Sequence, residues 1–240
     1  MTQTAGAALQ AYLLGSLSYD TVLALQRRLV YKVTGDRDQG FVVLCEHPPL
    51  ITVGRQGSRA HILFEPDDLR SRQWPVRWVN RGGGCVLHLP GQLAIYAVLA
   101  LDRLGLDLPA YLTRLQSALV DLLGDFDVRG EIRPNAAGVA VGGRPIAQVG
   151  VAVCQWVSYY GAVLNVNPDL APFRKILGHP PCLPMTSLER ERHGPLRMSM
   201  VRERLLAHIA SRFDFSRTAL FFDDPTLCRR APSDALAASS

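Results

Sequence analysis

One stretch combines a basic residue, three glycines and apolar flanks: Asn80-Arg81-Gly82-Gly83-Gly84-Cys85-Val86-Leu87-His88-Leu89-Pro90-Gly91-Gln92-Leu93. Glycine has no Cβ and adopts positive φ readily, so a ligand can lie against such a backbone. The loop N–H groups can then bind an oxygen-bearing group, with Arg81 supplying positive charge. A glycine run between strands is also a common hairpin connection, and both interpretations stay open on this stretch alone.

Two nucleotide-binding motifs are excluded for this loop. No Gly-Lys-Ser/Thr follows the glycines, as it would in a P-loop. No helical pattern begins behind them either, as the dinucleotide-binding Gly-x-Gly-x-x-Gly motif requires. Short β-rich runs, Val76–Val79 and Gln92–Leu99, are instead predicted on the two sides of the loop.

The composition indicates an ordinary globular protein. The chain has 240 residues, of which 48% are hydrophobic and 20% charged. No apolar run is long enough to cross a membrane, and the start of the chain lacks a basic segment followed by an apolar one. We therefore expect no membrane partner and no secretory signal.

The five cysteines are an odd number without a Cys-x-x-Cys pair, which argues against a disulfide framework or a structural zinc site. Reduced thiols and a cytoplasmic location are expected, with no metal. The net charge of +5 comes from arginines clustered at 27–28, 190–204 and 229–230, mostly beside acidic residues. Such clusters are typical of solvated faces, so nucleic acid is not an expected partner, although an acidic protein is compatible.

Hydrophobic spacing predicts an α+β protein. Apolar residues recur at helical intervals in three segments: Tyr19–Val33, Leu108–Phe126 and Met198–Phe213. Further strands are predicted at Phe41–Glu46, Leu50–Val53, Gly138–Val141, Ile146–Val153 and Val157–Val166. We expect one domain over residues 1–230, with a mixed β-sheet flanked by helices, and a flexible tail over residues 231–240.

Four segments, taken in order, resemble the octanoyltransferase family of lipoate biosynthesis. His47–Arg55 is similar to the family's His-Pro-x-Val-Tyr-Thr-x-Gly, and Arg81–Leu93 to its Arg-Gly-Gly-x-x-Thr-x-His-Gly-Pro-Gly-Gln-Leu. Gly138–Gly150 is similar to Gly-Val-Tyr-x…Lys-Ile-Ala-x-x-Gly. Tyr160–Leu170 is similar to His-Gly-x-Ala-Leu-Asn-Val-x-x-Asp-Leu. The order and spacing match over about residues 15–215.

The resemblance implies a fold and an activity. The family transfers octanoyl from acyl carrier protein to a lysine of lipoyl domains, through a cysteine acyl-thioester and without a cofactor. Its catalytic fold is shared with lipoate ligases and biotin ligases. The implied partners are octanoyl-acyl carrier protein and the lipoyl domains of 2-oxoacid dehydrogenase or glycine cleavage proteins.

The resemblance also locates the catalytic positions, where this chain departs from the family. The family's nucleophilic cysteine falls on His179, and Cys182 follows three residues later. The family's activating lysine falls on Pro145, and its histidine on Tyr160. A thiolate is needed for thioester exchange, so we predict Cys182 as nucleophile, with His179, or Arg144 next to Pro145, as the group that lowers its pKa.

The predicted substrate-binding residues line an acyl tunnel in this interpretation. They come from the glycine stretch, from the third segment and from the fourth: Arg81, Gly82, Gly83, Gly84, Cys85, Val86, Leu87, His88, Gln148, Val149, Gly150, Tyr160, Gly161 and Ala162. Leu89 and Val163 also suit an apolar pocket.

Two other functions remain open from the sequence. One is an ATP-dependent lipoate-type ligase, which forms an acyl-adenylate and needs no cysteine. The other is a non-catalytic family member that binds acyl groups or lipoyl domains, which the proline at position 145 and the histidine at position 179 favour. The Pro90-Gly91-Gln92-Leu93 continuation favours the transferase.

Overall fold

The computed structural model describes residues 8–132, 138–177 and 184–224. The strands of these ranges are β1 (Ala8–Ser16), β2 (Gly40–Glu46), β3 (Leu50–Val53), β4 (Val76–Trp78), β5 (Cys85–His88), β6 (Gln92–Val98), β7 (Glu131–Ile132), β8 (Gly138–Val141), β9 (Arg144–Cys154), β10 (Val157–Asn165) and β11 (Arg217–Phe221). The α-helices are α1 (Tyr19–Gly35), α2 (Pro66–Ser71), α3 (Leu108–Gly124), α4 (Leu188–Arg192) and α5 (Met198–Arg212). Among the described residues, no helix combines the length and apolar character that a membrane span requires.

The strands form one large and one small sheet. The large sheet has eight strands in the order β11-β1-β2-β6-β10-β9-β8-β7, with β1 parallel to both of its neighbours and antiparallel pairing from β2 onward to β7. The small sheet has the order β4-β3-β5, in which β3 is parallel to β4 and antiparallel to β5. The large sheet is therefore mixed, as predicted.

Helices cover both faces of the large sheet. On one face, α3 and α5 pack against each other and against the sheet with fully buried leucines such as Leu115, Leu119 and Leu205. On the other face, α1 buries Val22, Leu25, Leu29 and Val33 at helical spacing. The side chain of Ser18 caps α1 by accepting a hydrogen bond of 3.1 Å from the Thr21 N–H. The predicted mixed sheet flanked by helices is confirmed.

The three predicted helices begin at the predicted residues and end within two residues of the predicted ends. Six elements of the described residues were not predicted: β1, β5, β7, β11, α2 and α4. β5 lies inside the glycine stretch, directly after the three glycines, where the predicted strands only flanked the loop. β11 is exposed along its whole length, so it has no apolar alternation to indicate a strand. The predicted tail, 231–240, lies outside the described residues.

A buried histidine joins the start of α1 to the large sheet. His47 Nδ1 lies 2.7 Å from the Leu17 carbonyl, which can only accept, so Nδ1 carries the proton. The other ring nitrogen, Nε2, accepts a hydrogen bond of 2.6 Å from the Tyr96 hydroxyl. Burial lowers the pKa of His47 to about 4, and the hydrogen bond to Leu17 opposes this shift only in part. The ring is therefore neutral at pH 7.

This histidine predicts a loss of stability in mild acid. In the unfolded chain the pKa of histidine is about 6.5. Between pH 6.5 and pH 4 the unfolded state therefore binds a proton at this histidine, whereas folded His47 stays neutral. The stabilisation is complete above pH 6.5 and is lost as the pH falls toward 4. We expect His47 alone to lower the free energy of unfolding by about 2 kcal/mol between pH 7 and pH 5, as measured by urea denaturation.

The matched variants are His47→Phe and His193→Asn. His47→Phe is less stable than the wild type at pH 7, but its free energy of unfolding falls less between pH 7 and pH 5. His193 is exposed with a φ of 58°, a conformation that asparagine tolerates, so His193→Asn keeps the wild-type pH dependence. An equal fall in His47→Phe and the wild type contradicts the prediction.

Candidate active site

The glycine loop is held between the two sheets by close backbone approaches. A Cβ on Gly54, just after β3, would lie 2.5 Å from the Gly83 carbonyl oxygen, and a Cβ on Gly150 of β9 would lie 2.7 Å from the Gly82 carbonyl oxygen. The Gly82 N–H donates a hydrogen bond of 2.8 Å to the Val151 carbonyl. The loop is therefore a packed link between β3 and β9, and the Gly82 N–H serves the fold rather than a ligand.

β5 directs its side chains alternately to two sides, as a strand must. Cys85 and Leu87 point into the core of the small sheet. Val86 and His88 point into a cleft between the two sheets. Burial raises the pKa of the Cys85 thiol, whose Sγ lies 3.4 Å from the Ser58 carbonyl, so the thiol is held in its neutral form. Cys85 and Leu87 thus lie outside the cleft although both belong to the predicted binding set.

The cleft is narrow, with a cavity volume of about 20 Å³, and brings residues from α1, both sheets and the glycine stretch together. It is lined by Tyr19, Arg81, Val86, His88, Tyr96, Gln148, Val149, Gly150, Tyr160, Gly161, Ala162 and Val163. Nine of the fourteen predicted substrate-binding residues are in this set. Gly82, Gly83 and Gly84 form the link behind it, and Leu89 packs in the small-sheet core with Cys85 and Leu87.

Arg81 is the only charged side chain that lines the described cleft. Only 6% of the residue is exposed, and its guanidinium donates hydrogen bonds to Thr52 Oγ1 at 2.7 Å, to the Thr52 carbonyl at 3.1 Å and to the Gly82 carbonyl at 3.0 Å. Burial lowers the pKa of Arg81, but an arginine in a protein stays protonated. The cleft therefore contains one fixed positive charge.

His88 is held neutral beside that charge. Its Nε2 lies 3.0 Å from Thr52 Oγ1, which accepts from Arg81 and so can donate its own proton to the ring. Complete burial, with His47 and Arg81 nearby, lowers the pKa of His88 well below 6.5. By binding the Thr52 hydroxyl, His88 orients the Arg81–Thr52 pair. Among the described residues, no three histidine, cysteine or acidic side chains lie together as metal ligands.

Tyr160 closes one end of the cleft in an unusual backbone conformation. Its φ of 59° lies in the left-handed region, and its N–H donates a hydrogen bond of 2.7 Å to Gln26 Oε1 on α1. Burial raises the pKa of the Tyr160 hydroxyl, and a hydrogen bond to the Asn80 backbone lowers it in part. The ring therefore extends from β10 to the residue that precedes Arg81. Such strained residues often mark functional sites.

The two predicted catalytic residues, Cys182 and His179, lie outside the described residues. Arg144, the other candidate for the activating charge, donates a hydrogen bond of 2.8 Å to Glu191 Oε2, so its charge is paired. Pro145 accepts a hydrogen bond of 2.9 Å from the Thr186 N–H. The chain beyond Cys182 is thus anchored to the beginning of β9, the strand that supplies Gln148 and Gly150 to the cleft.

Sequence reasoning missed three residues of the site: Tyr19, Tyr96 and Thr52. In the sequence, Tyr19 was interpreted only as the first residue of a helix. In the structure its hydroxyl is buried in the cleft, where burial raises its pKa and Arg81 opposes this shift. Burial likewise raises the pKa of Tyr96 well above 10. Thr52 is completely buried. The sequence shows it as the one polar residue of an apolar strand and as the threonine of the His47–Arg55 segment.

Comparison with known proteins gives a consistent result. The family profile of the lipoyl protein ligase A/B catalytic domain matches residues 18–210. An octanoyltransferase of Stutzerimonas stutzeri is 39% identical over 189 residues, which are 77% of this chain and 82% of the relative. An octanoyltransferase of Syntrophobacter fumaroxidans is 42% identical over 160 residues, or 67% of this chain and 70% of the relative.

The fold is similar to that of solved lipoate ligases. One match comes from the structural analysis of a bi-partite lipoate protein ligase and its E2 lipoyl domain from Thermoplasma acidophilum, with a TM-score of 0.70 and 14% identity. It covers 90% of this chain and 87% of that chain. At this level of identity the likeness concerns the fold alone. Since the family profile spans most of the chain, including every residue that lines the cleft, the chain belongs to the lipoyl protein ligase A/B catalytic-domain family.

Proposed function

We propose that the protein is an acyltransferase that moves an octanoyl group from octanoyl-acyl carrier protein to a lysine of lipoyl domains, in protein lipoylation. The observation that carries the proposal is the cleft itself, whose lining is uncharged except for Arg81. An alkyl chain needs apolar walls, and a thioester carbonyl that gains negative charge needs a nearby cation. The octanoyltransferases that are 39% and 42% identical support the same activity.

The nucleophile in this proposal is Cys182. Thr186 is held on both sides, because its N–H donates to the Pro145 carbonyl and its carbonyl accepts a hydrogen bond of 2.9 Å from Asn165 Nδ2. Cys182 precedes Thr186 by four residues, which span at most about 14 Å. Gln148 follows Pro145 by three residues, about 10 Å along the strand. The chain length between these anchors supports a Cys182 that reaches the cleft.

The reaction has two steps. The Cys182 thiolate attacks the thioester carbonyl of the octanoyl carrier, the carbon–sulfur bond to the carrier breaks, and the carrier thiol leaves with a proton. The lysine amine of the acceptor domain then attacks the octanoyl-cysteine carbonyl, forms the amide, loses its proton and releases Cys182. In each step the carbonyl oxygen becomes negative, and Arg81 supplies the nearest fixed positive charge.

Arg81 also takes the role of the activating lysine in the octanoyltransferase family that the sequence resembles, which is to lower the pKa of the nucleophilic cysteine. A cation near a thiol favours the thiolate and lowers its pKa. The proline at position 145 carries no charge, and the described cation at position 144 is paired with Glu191. Arg81, with His179 in support, is therefore our candidate for the group that activates Cys182.

The proposed partners are octanoyl-acyl carrier protein and the lipoyl domains of 2-oxoacid dehydrogenase or glycine cleavage proteins. The net charge of +5 suits an acidic carrier. The proposed location is the cytoplasm, which is supported by the free thiols of Cys45, Cys85 and Cys154.

The first test is the covalent intermediate. Without ATP, the wild-type protein incubated with octanoyl-acyl carrier protein gains one octanoyl group that hydroxylamine removes, as seen by intact mass spectrometry. Cys182→Ala gains none, because the attacking sulfur is gone. Cys154→Ala, which removes the exposed thiol of β9, still forms the adduct.

Other outcomes separate the alternatives. An adduct that persists in Cys182→Ala refutes Cys182 as the nucleophile. The absence of any adduct on the wild type refutes the thioester route. Labelling of a lipoyl domain that then requires octanoate and ATP identifies a ligase, and tight octanoyl binding without transfer identifies a binding protein.

The second test concerns Arg81. We expect Arg81→Gln to lower the single-turnover rate of adduct formation about 100-fold, because the fixed positive charge beside the reacting carbonyl is lost. The rising limb of the pH–rate profile also moves to higher pH, since the thiol pKa rises when the cation is removed. Arg81→Lys restores the charge but not the two-pronged hydrogen bonding to Thr52, so it recovers the rate only in part.

The control is Arg77→Gln. Arg77 lies four residues before Arg81 and forms an exposed ion pair of 3.1 Å with Asp20, so its loss leaves rate and pH profile unchanged. If Arg81→Gln loses rate but keeps the wild-type pH profile, Arg81 positions the substrate without activating the thiol.

A further inference from the structure

Tyr160 separates the cleft from a second space on the same face of the large sheet. This space, which we call the helix groove, has a volume of about 260 Å³ and lies between α1 and the hairpin formed by β9 and β10. It is lined by Leu23, Gln26, Arg27, Val30, Cys154, Tyr159 and Tyr160. Tyr160 is the one residue common to the lining of the cleft and of the helix groove.

The Tyr160 ring is fixed in place at several points. The backbone N–H is bound to Gln26 at 2.7 Å, and the ring lies 4.9 Å from that of Tyr159. The residue is only 6% exposed. A buried ring that packs against Tyr159, on a backbone held by a hydrogen bond to α1, has little room to rotate, so it acts as a wall.

We propose that Tyr160 determines the longest acyl chain that the cleft accepts, and that the helix groove is the space which a longer chain enters once this side chain is removed. The inference rests on the proposed function in one respect, namely that the ligand of the cleft is a medium-chain acyl group. It adds a specificity-determining residue, which the activity alone does not identify.

The helix groove suits an alkyl chain in most of its lining, although Gln26 and Arg27 are polar. Leu23, Gln26, Arg27 and Val30 follow one another at the three- and four-residue intervals of a single helix stripe. Leu23 and Val30 offer apolar surface beside Tyr159. Gln26 Nε2 is buried and, within the described part of the chain, has no hydrogen-bond partner. This polar group marks the side of the groove that an alkyl chain would avoid.

The size of the effect follows from burial. Each methylene transferred from water to an apolar site improves binding about fourfold. A chain of twelve carbons has four methylenes more than octanoyl. In the wild type these methylenes meet the Tyr160 ring, so they add nothing. With the ring removed they enter the helix groove, and even partial burial gives at least a tenfold gain.

The experiment measures binding of acyl-pantetheine analogues in which an amide replaces the thioester, so that no transfer can occur. Isothermal titration compares the eight-carbon with the twelve-carbon analogue on the full chain. The wild type binds the twelve-carbon analogue no more tightly than the eight-carbon one. Tyr160→Gly binds the twelve-carbon analogue at least tenfold more tightly. Glycine accepts a φ of 59° without strain, so this substitution keeps the backbone.

Three further variants make the test specific. Tyr160→Phe keeps the ring and therefore the wild-type order of affinities. Tyr160→Asn, which also tolerates the left-handed conformation, replaces Tyr160→Gly if the latter does not fold. Leu23→Trp added to Tyr160→Gly fills the helix groove from α1 and returns the twelve-carbon affinity toward that of the wild type.

The inference is overturned if folded Tyr160→Gly has the same ratio of affinities as the wild type, or if the wild type already prefers the twelve-carbon analogue tenfold. It is independent of catalysis in this assay. If the wild type transfers octanoyl but Tyr160→Gly has the wild-type preference for chain length, the proposed function is upheld and the role of Tyr160 as a wall is refuted. A changed length preference without transfer from octanoyl-acyl carrier protein upholds the wall and refutes the transferase.

Discussion

A guanidinium removed from water must have its N–H groups bound, and Arg81 meets this requirement through Thr52 and the Gly82 carbonyl. These bonds tie the glycine stretch to β3, while the aliphatic part of Arg81 lies against Gly150 of β9, where a Cβ would be 3.2 Å from Arg81 Cδ. The same residue therefore connects the two sheets and charges the space between them.

The site around this charge contains few other groups that can ionise at neutral pH. His47 and His88 are buried and neutral, and burial raises the pKa of the tyrosines that face the cleft. A single positive charge in low-dielectric surroundings has a strong effect on any thiol or carbonyl brought near it. This arrangement makes the proline at position 145 compatible with acyl transfer, since the activating charge need not come from that strand position.

Much of the fold followed from the sequence because its causes are local. The apolar spacing of α1, α3 and α5 and the turn between β8 and β9 identified these elements correctly. β5 was missed because the three glycines before it indicate a loop, and its four residues are too few for a clear strand pattern. β11 was missed because it is a strand only through its pairing with β1, and a local sequence pattern does not show a pairing with a distant segment.

The site was predictable only where it is contiguous in sequence. Arg81, His88 and the Gln148–Gly150 segment line the cleft, and each belongs to a motif that the sequence displays. Tyr19 and Tyr96 come from elements whose patterns indicated only packing, and their approach to Arg81 depends on how α1 crosses the large sheet. The separation of Cys85 from His88 required knowing that β5 exists, since a strand sends neighbouring residues to opposite sides.

The order of the large sheet has a consequence for synthesis on the ribosome. β1 pairs on one side with β2, which follows it closely, but on the other side with β11, so that Ala8 meets Arg217. Until β11 emerges, β1 has an open edge with unpaired N–H and carbonyl groups, the kind of edge that recruits other chains. This edge of β1 is therefore covered only late in translation, after every residue that lines the cleft has been synthesised.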